Sequence, residues 1–532
     1  MTDWWRSAVI YQIYPRSFQD DSGDGVGDLP GITRRLDYVA SLGVDAIWLS
    51  PFFTSPMADM GYDVSNYTDV DPIFGTLADF DALIARAHDL GLKVIIDQVL
   101  SHTSDQHPWF AESRQNKTNS KADWYVWADP NPDGTPPNNW PSVFGGPAWE
   151  WEPRRRQYYL HNFLIEQPDL NFHCTEVQDA LLDAMRFWLD RGVDGFRLDT
   201  VNFYFHDARL RSNPPEIYDD GLPIETYAMQ DHLYSKTQPE NIGFLKRMRA
   251  LTDEYPDRTM VGEVGEGRRA IDVMAEYTQG DDRLHMAYSF DMLSPTFSAS
   301  HFRSRIENFF KGAPDGWPCW SFSNHDVQRH VSRWVDHSSD PDALAKQSAA
   351  LLLSFEGTIG IYQGEELGQT ETALEYKELT DPPALRFWPE QKGRDGCRTP
   401  MVWDASADNA GFSTAVPWLP VKAPQAARAV ADQLNQNDSV FHFYQQAMAF
   451  RKANRAMLTG RSEFIDTVEP ILAFRRKAQD QTITCVFNLS PETVTVDLGP
   501  QGAMLDHVRG VTFNGTSIEL EGNGFAFFEA AH

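Results

Sequence analysis

The sequence predicts an α/β protein built as a (β/α)8 TIM barrel, with a subdomain inserted after the third strand and an antiparallel β-domain at the C-terminal end. Three observations lead there. Strand-like and helix-like segments alternate through the first hundred residues, the pattern of right-handed parallel βα units. Eight strand candidates precede residue 370, the number that closes such a barrel. Past about Arg461 the apolar spacing changes from the helical period to strict alternation.

Val9–Tyr14 reads as the first strand, Ile32–Leu42 as a helix and Val44–Leu49 as a buried second strand. Thr76 with Asp79 three residues on forms a capping box. Phe80, Leu83, Ile84, Ala87 and Leu90 then line one helical face, which Gly91 ends before the strand Lys93–Val99. From Ser101 to about Asn171 the chain is rich in Trp, Pro, Asn and Asp, too long for an ordinary loop and therefore a subdomain. Alternation resumes with a helix whose capping box is expected at Thr175 and Gln178, with Val177, Leu181, Met185, Trp188 and Leu189 buried and Gly192 as the stop.

The fourth strand follows and ends at Arg197 and Asp199; Thr259–Gly262, His285–Phe290, Trp317–Ser323 and Thr358–Tyr362 complete the eight. Residues 370–430 are irregular, and a helix over Phe441–Lys452 closes the barrel. Ile483, Cys485 and Phe487, then Val494, Val496 and Leu498, then Phe525 and Phe527, alternate as strands. The division is thus 1–100 and 172–455 for the barrel, 101–171 for the inserted subdomain and 456–532 for the β-domain.

The 532 residues carry 46 Lys and Arg against 76 Asp and Glu, a formal charge of −30. Such a field repels phosphate backbones and anionic membranes, so nucleic acid and membrane are excluded as partners and a neutral small-molecule substrate is expected. Cys174, Cys319, Cys397 and Cys485 are far apart and lack metal or disulfide spacing. The start, Met-Thr-Asp-Trp-Trp-Arg, has no basic region or apolar core of a secretion signal, and no run approaches a membrane span. A cytoplasmic protein is expected. The number of copies in the working molecule is not legible.

Chemistry concentrates at the strand ends. In Val193-Asp-Gly-Phe-Arg-Leu-Asp-Thr-Val201, Arg197 and Asp199 are two residues apart, so both side chains leave the strand on one face. A guanidinium beside a carboxylate keeps it ionised, as a nucleophile requires, so Arg197 is expected to hold Asp199 in its charged form. Asp97 and His102 follow the third strand, Glu263 ends the fifth, and Asn324-His325-Asp326 follows the seventh. All C-terminal strand ends of a barrel converge on one face. Three carboxylates with a flanking cation are the set that retaining glycoside cleavage needs: one attacks the anomeric carbon and one donates a proton to the leaving oxygen. Asp199 suits attack. Glu263, in the negative field of two aspartates, suits the acid/base role.

With Gln12-Ile-Tyr-Pro-Arg-Ser-Phe18, Asp97-Gln-Val-Leu-Ser-His102, Gln167-Pro-Asp-Leu-Asn171, Gly195-Phe-Arg-Leu-Asp199, Gly262-Glu263 and Ser323-Asn-His-Asp326, the chain resembles the α-amylase superfamily (glycoside hydrolase family 13), in its α-glucosidase and oligo-1,6-glucosidase branch. The resemblance implies Asp199 as nucleophile, Glu263 as acid/base and Asp326 as transition-state stabiliser beside His325, with His102 and Arg197 lining the same subsite and Asp97 orienting Arg197. It implies that Tyr62 stacks on the glucose ring and that Asp59 pairs with Arg398 to close the pocket on a terminal sugar. Phe144 and Phe163 are further candidate walls. Thr200, directly after the nucleophile, stands where relatives that prefer α-1,4 bonds carry Thr and those that prefer α-1,6 bonds carry Val.

The resemblance therefore implies an exo-acting α-glucosidase on maltose and short α-glucosides, with transfer to an alcohol or second sugar as the near alternative. An oligo-1,6-glucosidase or an α-glucosyltransferase would use the same scaffold. The fold also serves non-catalytic heavy subunits of amino-acid transporters, which carry a membrane span and lack the catalytic carboxylates. A separate run, Asp20-Asp-Ser-Gly-Asp-Gly-Val-Gly-Asp28, offers oxygen ligands at Asp20, Ser22, Asp24, the Val26 carbonyl and Asp28, half an EF-hand in spacing. Related enzymes hold a structural Ca2+ or Mg2+ there. No organic cofactor is expected. In α-amylases proper an Asn before the histidine binds calcium; Ser101 stands in its place, so no calcium is expected between barrel and subdomain.

Overall fold

The computed structural model describes residues 3–218 and 221–530. Eight parallel strands follow one another round a barrel: β1 (Val9–Ile13), β2 (Ala46–Leu49), β3 (Lys93–Gln98), β4 (Gly195–Leu198), β5 (Thr259–Val264), β6 (Met286–Ser289), β7 (Cys319–Ser321) and β8 (Thr358–Tyr362). Hydrogen bonding runs in the order β6-β5-β4-β3-β2-β1-β8-β7, and a parallel bridge from Ala287 to Pro318 closes the ring. Each strand leads to a helix: α1 (Leu29–Ser41), α2 (Leu77–Asp89), α3 (Thr175–Asp190), α4 (Asn241–Thr252), α5 (Ala270–Thr278), α6 (Ala299–Gly312), α7 (Pro341–Ser354) and α8 (Val440–Ala453).

Side-chain alternation along each strand divides the interior in two. Ile10, Ala46, Trp48, Ile95, Val261 and Met286 point into the barrel and form one cluster. Their neighbours Val9, Tyr11, Ile47, Val94 and Ile96 point outward and join the larger core under the helices. The strands are therefore buried on both faces, and this is why they read as continuous apolar runs in the sequence.

Helix starts follow local chemistry. The Asp28 carboxylate accepts the Gly31 N–H and caps α1. Thr76 and Asp79 cap α2 reciprocally, as the capping box requires. The expected box at Thr175 and Gln178 does not form. Thr175 is already the first residue of α3, Cys174 occupies the cap position without a side-chain bond, and the Gln178 amide donates to the Phe172 carbonyl at 2.7 Å. The spacing was right for a cap, but the helix starts one residue too early to use it.

After β3 the chain leaves the barrel. A short helix (Pro108–Ser113) and a three-stranded antiparallel sheet (Trp127–Ala128, Trp149–Glu152, Gln157–Leu160) enclose a core of Val126, Trp140, Trp149 and Leu160. The C-terminal domain is a seven-stranded antiparallel sheet. In its strand Thr482–Asn488, Ile483, Cys485 and Phe487 pack toward the barrel, while Val486 faces the domain's own core.

Two buried arginines, without carboxylate partners among the described residues, cap the end of α7, and Arg476 also fastens the barrel to the β-domain. Arg451 on α8 donates to the carbonyls of Leu353 and Gly357, at 2.5 and 2.9 Å. Arg476, from the β-domain, donates to Ser354, Met457 and Gly460, at 2.5, 3.1 and 2.8 Å. Between them they satisfy carbonyls at the C-terminal end of α7 that no helical N–H reaches. Arg476→Met should lower stability by about 2–4 kcal/mol, since each orphaned buried carbonyl costs about 1–3 kcal/mol. The urea midpoint should fall while the steady-state constants of the remaining folded enzyme hold; an unchanged midpoint would show that the carbonyls find other donors.

Candidate active site

Strand register builds the floor of the site. Asp97 on β3 lies opposite Arg197 on β4, and Glu263 on β5 lies opposite Tyr288 on β6. Residues paired across parallel strands point the same way, so these four side chains meet over the C-terminal ends. The Arg197 Nη1 lies 2.8 Å from Asp97 Oδ1 and 2.6 Å from Asp199 Oδ1, and its Nη2 contacts Glu263 Oε2. Nη2 also donates to the Tyr288 hydroxyl at 2.9 Å, which in turn donates to Glu263 at 2.6 Å. The guanidinium is wholly enclosed and lies 5.0 Å over the Trp48 ring.

One cation thus serves three buried carboxyl groups, and their ionisation follows from that shortage. Burial pushes Asp97 up to about 7 against the pull of Arg197. Burial also raises Asp199 above the ordinary aspartate range; Arg197 opposes this, and the neighbouring Asp326 adds to it. This corrects the reading that Arg197 by itself secures the charge on Asp199. The guanidinium offsets burial without overcoming it, because Asp97 and Glu263 draw on the same charge.

Asp326 is placed differently. Its carboxylate lies 2.9 Å from Arg398 Nη2, 3.2 Å from Arg394 Nη1 and 3.2 Å from His325 Nε2. Burial works against its charge, but the Nε2–H of His325 beside it and the charges of Arg394, Arg398 and Arg197 hold it well below the usual carboxylate range. The expected pairing of Asp59 with Arg398 does not occur. Arg394 takes that place, at 2.9 Å from Asp59 and 2.7 Å from Asp381, while Arg398 turns to Asp326 and the His325 carbonyl. Both arginines come from the irregular segment 370–430, four residues apart, and only folding decides which of them reaches Asp59. Burial raises Asp59 to about 6 even so.

These groups surround a cavity of about 180 Å³ lined by Asp59, Tyr62, His102, Val143, Phe144, Phe163, Asp199, Thr200, Glu263, Phe290, Asp326 and Arg394. Phe144 and Phe163 from the inserted subdomain stand as walls, with ring centroids 5.5 Å apart, and Arg394 lies over Phe144 at 4.9 Å. Arg197, His325 and Arg398 are fully buried and stand behind this wall, which corrects their expected place on the substrate surface. They set the positions and charges of the residues in front. Past Thr200, Glu263 and Phe290 the cavity meets a second chamber of about 540 Å³ that includes Phe203, Tyr227, Lys236 and Glu266.

Both histidines are neutral. Burial lowers His102 to about 4 and carries His325 well below the imidazole range. The Gln12 amide donates to His325 Nδ1 at 2.7 Å, so Nε2 carries the proton and faces Asp326 and the Tyr62 hydroxyl. The Tyr62 and His325 rings stack with centroids 5.4 Å apart. Sequence reasoning missed Tyr288, Arg394 and Gln167 as parts of the site. Tyr288 could have been found from its place opposite Glu263 on the next strand; Arg394 is in the same stretch as Arg398; Gln167 reaches both Asp59 and His102 only through the fold of the subdomain.

The acidic run 20–28 forms a closed turn. Asp20 accepts the N–H groups of Gly23 and Gly25 and the Ser22 and Ser413 hydroxyls, and Asp28 accepts those of Asp21, Ser22 and Gly31. Asp24 accepts the Val26 N–H. Among the described residues no three His, Cys, Asp or Glu side chains gather into a metal-holding group. The donors are all oxygen, as a hard cation requires.

If Arg394 closes the sugar end of the cavity, Arg394→Gln should lower kcat/KM by about a hundredfold. That is the loss of about 2–3 kcal/mol expected for removing charge-assisted hydrogen bonds. An unchanged kcat/KM in a folded variant would assign the closure to another group.

With this geometry in place, the chain can be set beside known proteins. Residues 12–460 match the family model described as alpha amylase, catalytic domain. The chain is 59% identical, over 93% of its length and 91% of the relative's, to a probable alpha-glucosidase of Rhizobium meliloti (strain 1021). It is 38% identical, over 93% and 94%, to an oligo-1,6-glucosidase of Heyndrickxia coagulans. Among solved structures, an alpha-glucosyl transfer enzyme, XgtA, superposes with a TM-score of 0.97 at 52% identity over the full length of both chains. Barrel, strand-end carboxylates and relatives agree: this chain belongs to the α-amylase family and is a glycoside hydrolase of its α-glucosidase branch.

Proposed function

We propose that the protein is a retaining, exo-acting α-glucosidase that releases terminal α-1,4-linked glucose from maltose and short α-glucosides through a covalent glucosyl-enzyme. The observation that carries this reading is the single guanidinium holding both reacting carboxyls, Asp199 on Nη1 and Glu263 on Nη2. Two carboxyls on one planar fork stand close together, as retention requires; inversion needs room for a water between them. Asp199 attacks the anomeric carbon, and Glu263 donates to the leaving oxygen and then deprotonates the incoming acceptor. Asp326, firmly ionised, binds sugar hydroxyls and favours the positive charge that develops on the ring.

Exo action rests on the clamp of Asp59, Arg394 and Asp326 across the far end of the cavity. Among the described residues, Asp59, Asp97, Asp199, Glu263, Asp326 and Asp381 face three guanidinium groups, those of Arg197, Arg394 and Arg398. A sugar phosphate would add charge of the wrong sign, so the field favours a neutral glucoside. Preference for α-1,4 bonds rests on Thr200 at the mouth between the two chambers. The larger chamber beyond Glu263 is where an alcohol or second sugar would compete with water for the glucosyl group, so transfer accompanies hydrolysis. Four unpaired cysteines, three of them buried, suit a reducing cytoplasm, and no described helix is long and apolar enough to cross a membrane.

The test is initial glucose release from maltose and isomaltose side by side, with the anomer of the product read by NMR. Fast maltose cleavage giving α-glucose first is expected. Faster isomaltose cleavage would make the enzyme an oligo-1,6-glucosidase, and β-glucose as first product would end the retaining mechanism. Asp199→Ala should abolish turnover in a protein that still folds.

We propose in addition that the turn 20–28 holds one Ca2+ or Mg2+ through oxygens of Asp20, Ser22, Asp24, Val26 and Asp28. Support comes from the all-oxygen donor set and from Asp20, whose carboxyl is held below its ordinary value: burial opposes this, and the bonds from Ser413, Gly25 and Gly23 outweigh it. A bound ion would tie the β1–α1 turn to the 370–430 segment through Ser413. Millimolar Ca2+ in place of EDTA should raise the melting midpoint by at least about 2 °C. Equal midpoints in both would leave the turn closed by hydrogen bonds alone.

A further inference from the structure

We propose that Ser101 and Thr200 form a hydrogen-bond relay that passes the tautomer of His102, in the pocket wall, on to the nucleophile Asp199. The inference rests on the glycosidase reading above, which makes Asp199 the attacking group. Thr200 Oγ1 lies 3.3 Å from Asp199 Oδ2 and 3.0 Å from Ser101 Oγ, and Ser101 Oγ lies 2.9 Å from His102 Nδ1. All four residues are buried, so the hydroxyls of Ser101 and Thr200 have few partners besides this chain of bonds.

The far side of the imidazole decides which way the relay points. His102 Nε2 stands 3.0 Å from the Tyr62 carbonyl, which can only accept, and 3.1 Å from the Gln167 amide nitrogen, which can only donate. The amide cannot turn over, because Gln167 Oε1 accepts the Leu164 N–H at 2.9 Å. With its proton on Nε2, His102 donates to Tyr62, and Nδ1 accepts from Ser101. The Thr200 hydroxyl is then free to donate either to Ser101, whose oxygen has no other donor, or to Asp199. With its proton on Nδ1, His102 accepts from Gln167 and donates to Ser101, Ser101 donates to Thr200, and Thr200 donates to Asp199. Each hydroxyl keeps its own proton and only turns.

His102 lines the cavity, so a sugar hydroxyl that donates to Nε2 selects the second arrangement. Filling the pocket thus commits the Thr200 hydroxyl to the carboxylate that is about to attack, and that bond favours its ionised form. A hydroxyl at position 101 is essential here, since one rotating oxygen can accept in one state and donate in the other. An amide side chain would present the two functions on different atoms.

Thr200 is fixed for this task. Its backbone, at φ 42° and ψ 47°, is in the left-handed region, which a β-branched residue adopts only under constraint. The charged and titratable groups facing Asp199 are Arg197 on its own strand, Asp97, Asp326, Tyr62, Tyr204 and, through Arg197, Glu263.

The test uses an aryl α-glucoside, so that any linkage preference of Thr200 does not enter. In the unaltered enzyme the acid limb of kcat, which reports the filled site, should lie below that of kcat/KM, which reports the free enzyme. Thr200→Val should raise the acid limb of kcat by about half to one pH unit. Ser101→Ala leaves Asp199 as the one relay acceptor for the Thr200 hydroxyl, so it should lower the acid limb of kcat/KM to meet that of kcat. The double variant should behave as Thr200→Val does, and Thr200→Ser should restore the limb. A Ser101→Ala limb that rises, or limbs that stay where they were, would overturn the relay. A purely structural loss would lower kcat without moving either acid limb.

Wild-type turnover in the same assay tests the glycosidase reading separately. A second readout needs no turnover: 15N NMR of histidine-labelled enzyme, with His102→Gln for assignment. Saturating glucose should move His102 from the Nε2–H to the Nδ1–H form, and an unchanged tautomer would overturn the proposal.

Discussion

Sharing one buried cation among three carboxyl groups is the constraint from which the rest of this site follows. Arg197 reaches Asp97, Asp199 and Glu263 at once because three neighbouring parallel strands bring their C-terminal ends together in register. A barrel supplies such a meeting point at no extra cost, since every strand ends on the same face. Once the guanidinium is there, the carboxyls cannot all be fully charged, and burial raises two of them. The proposed mechanism, which needs one proton and one negative charge on adjacent carboxyls, begins from that shortage.

The same shortage extends outward. Arg394 and Arg398 bring two more cations, but Asp59, Asp381 and Asp326 meet them, and the cavity stays negative overall. Asp326 is drawn firmly into its ionised form, because both arginines aim at it, and the same pair lowers Asp381 against its burial. Protonation is therefore set by how cations are divided among carboxyls. Contact with an arginine does not by itself fix the charge of any one of them, and Asp199, at 2.6 Å from Arg197, shows this most clearly.

Three separate stretches of chain finish the pocket. The strand ends supply the carboxyl groups, the inserted subdomain supplies Phe144, Phe163 and Gln167, and the 370–430 segment supplies Arg394 and Arg398. Rigid barrel and irregular insertions thus divide the work. The barrel fixes charges to within a hydrogen-bond length, and the insertions decide the length and shape of what can enter.

Eight strands, their order and the inserted and terminal domains were legible because strand and helix periods are properties of the local sequence, and a parallel barrel allows few topologies. So were the strand-end residues Asp199, Glu263 and Asp326, whose place at the end of an apolar run marks the face they occupy. Which arginine reaches Asp59, which side chains stand behind the cavity wall, and how Ser101 comes to touch Thr200 from 99 residues away were settled only by tertiary structure. Those facts depend on distances between segments that share no local pattern. The cap expected at Thr175 failed for a smaller version of the same reason: its spacing fits, and the surrounding fold starts the helix one residue earlier.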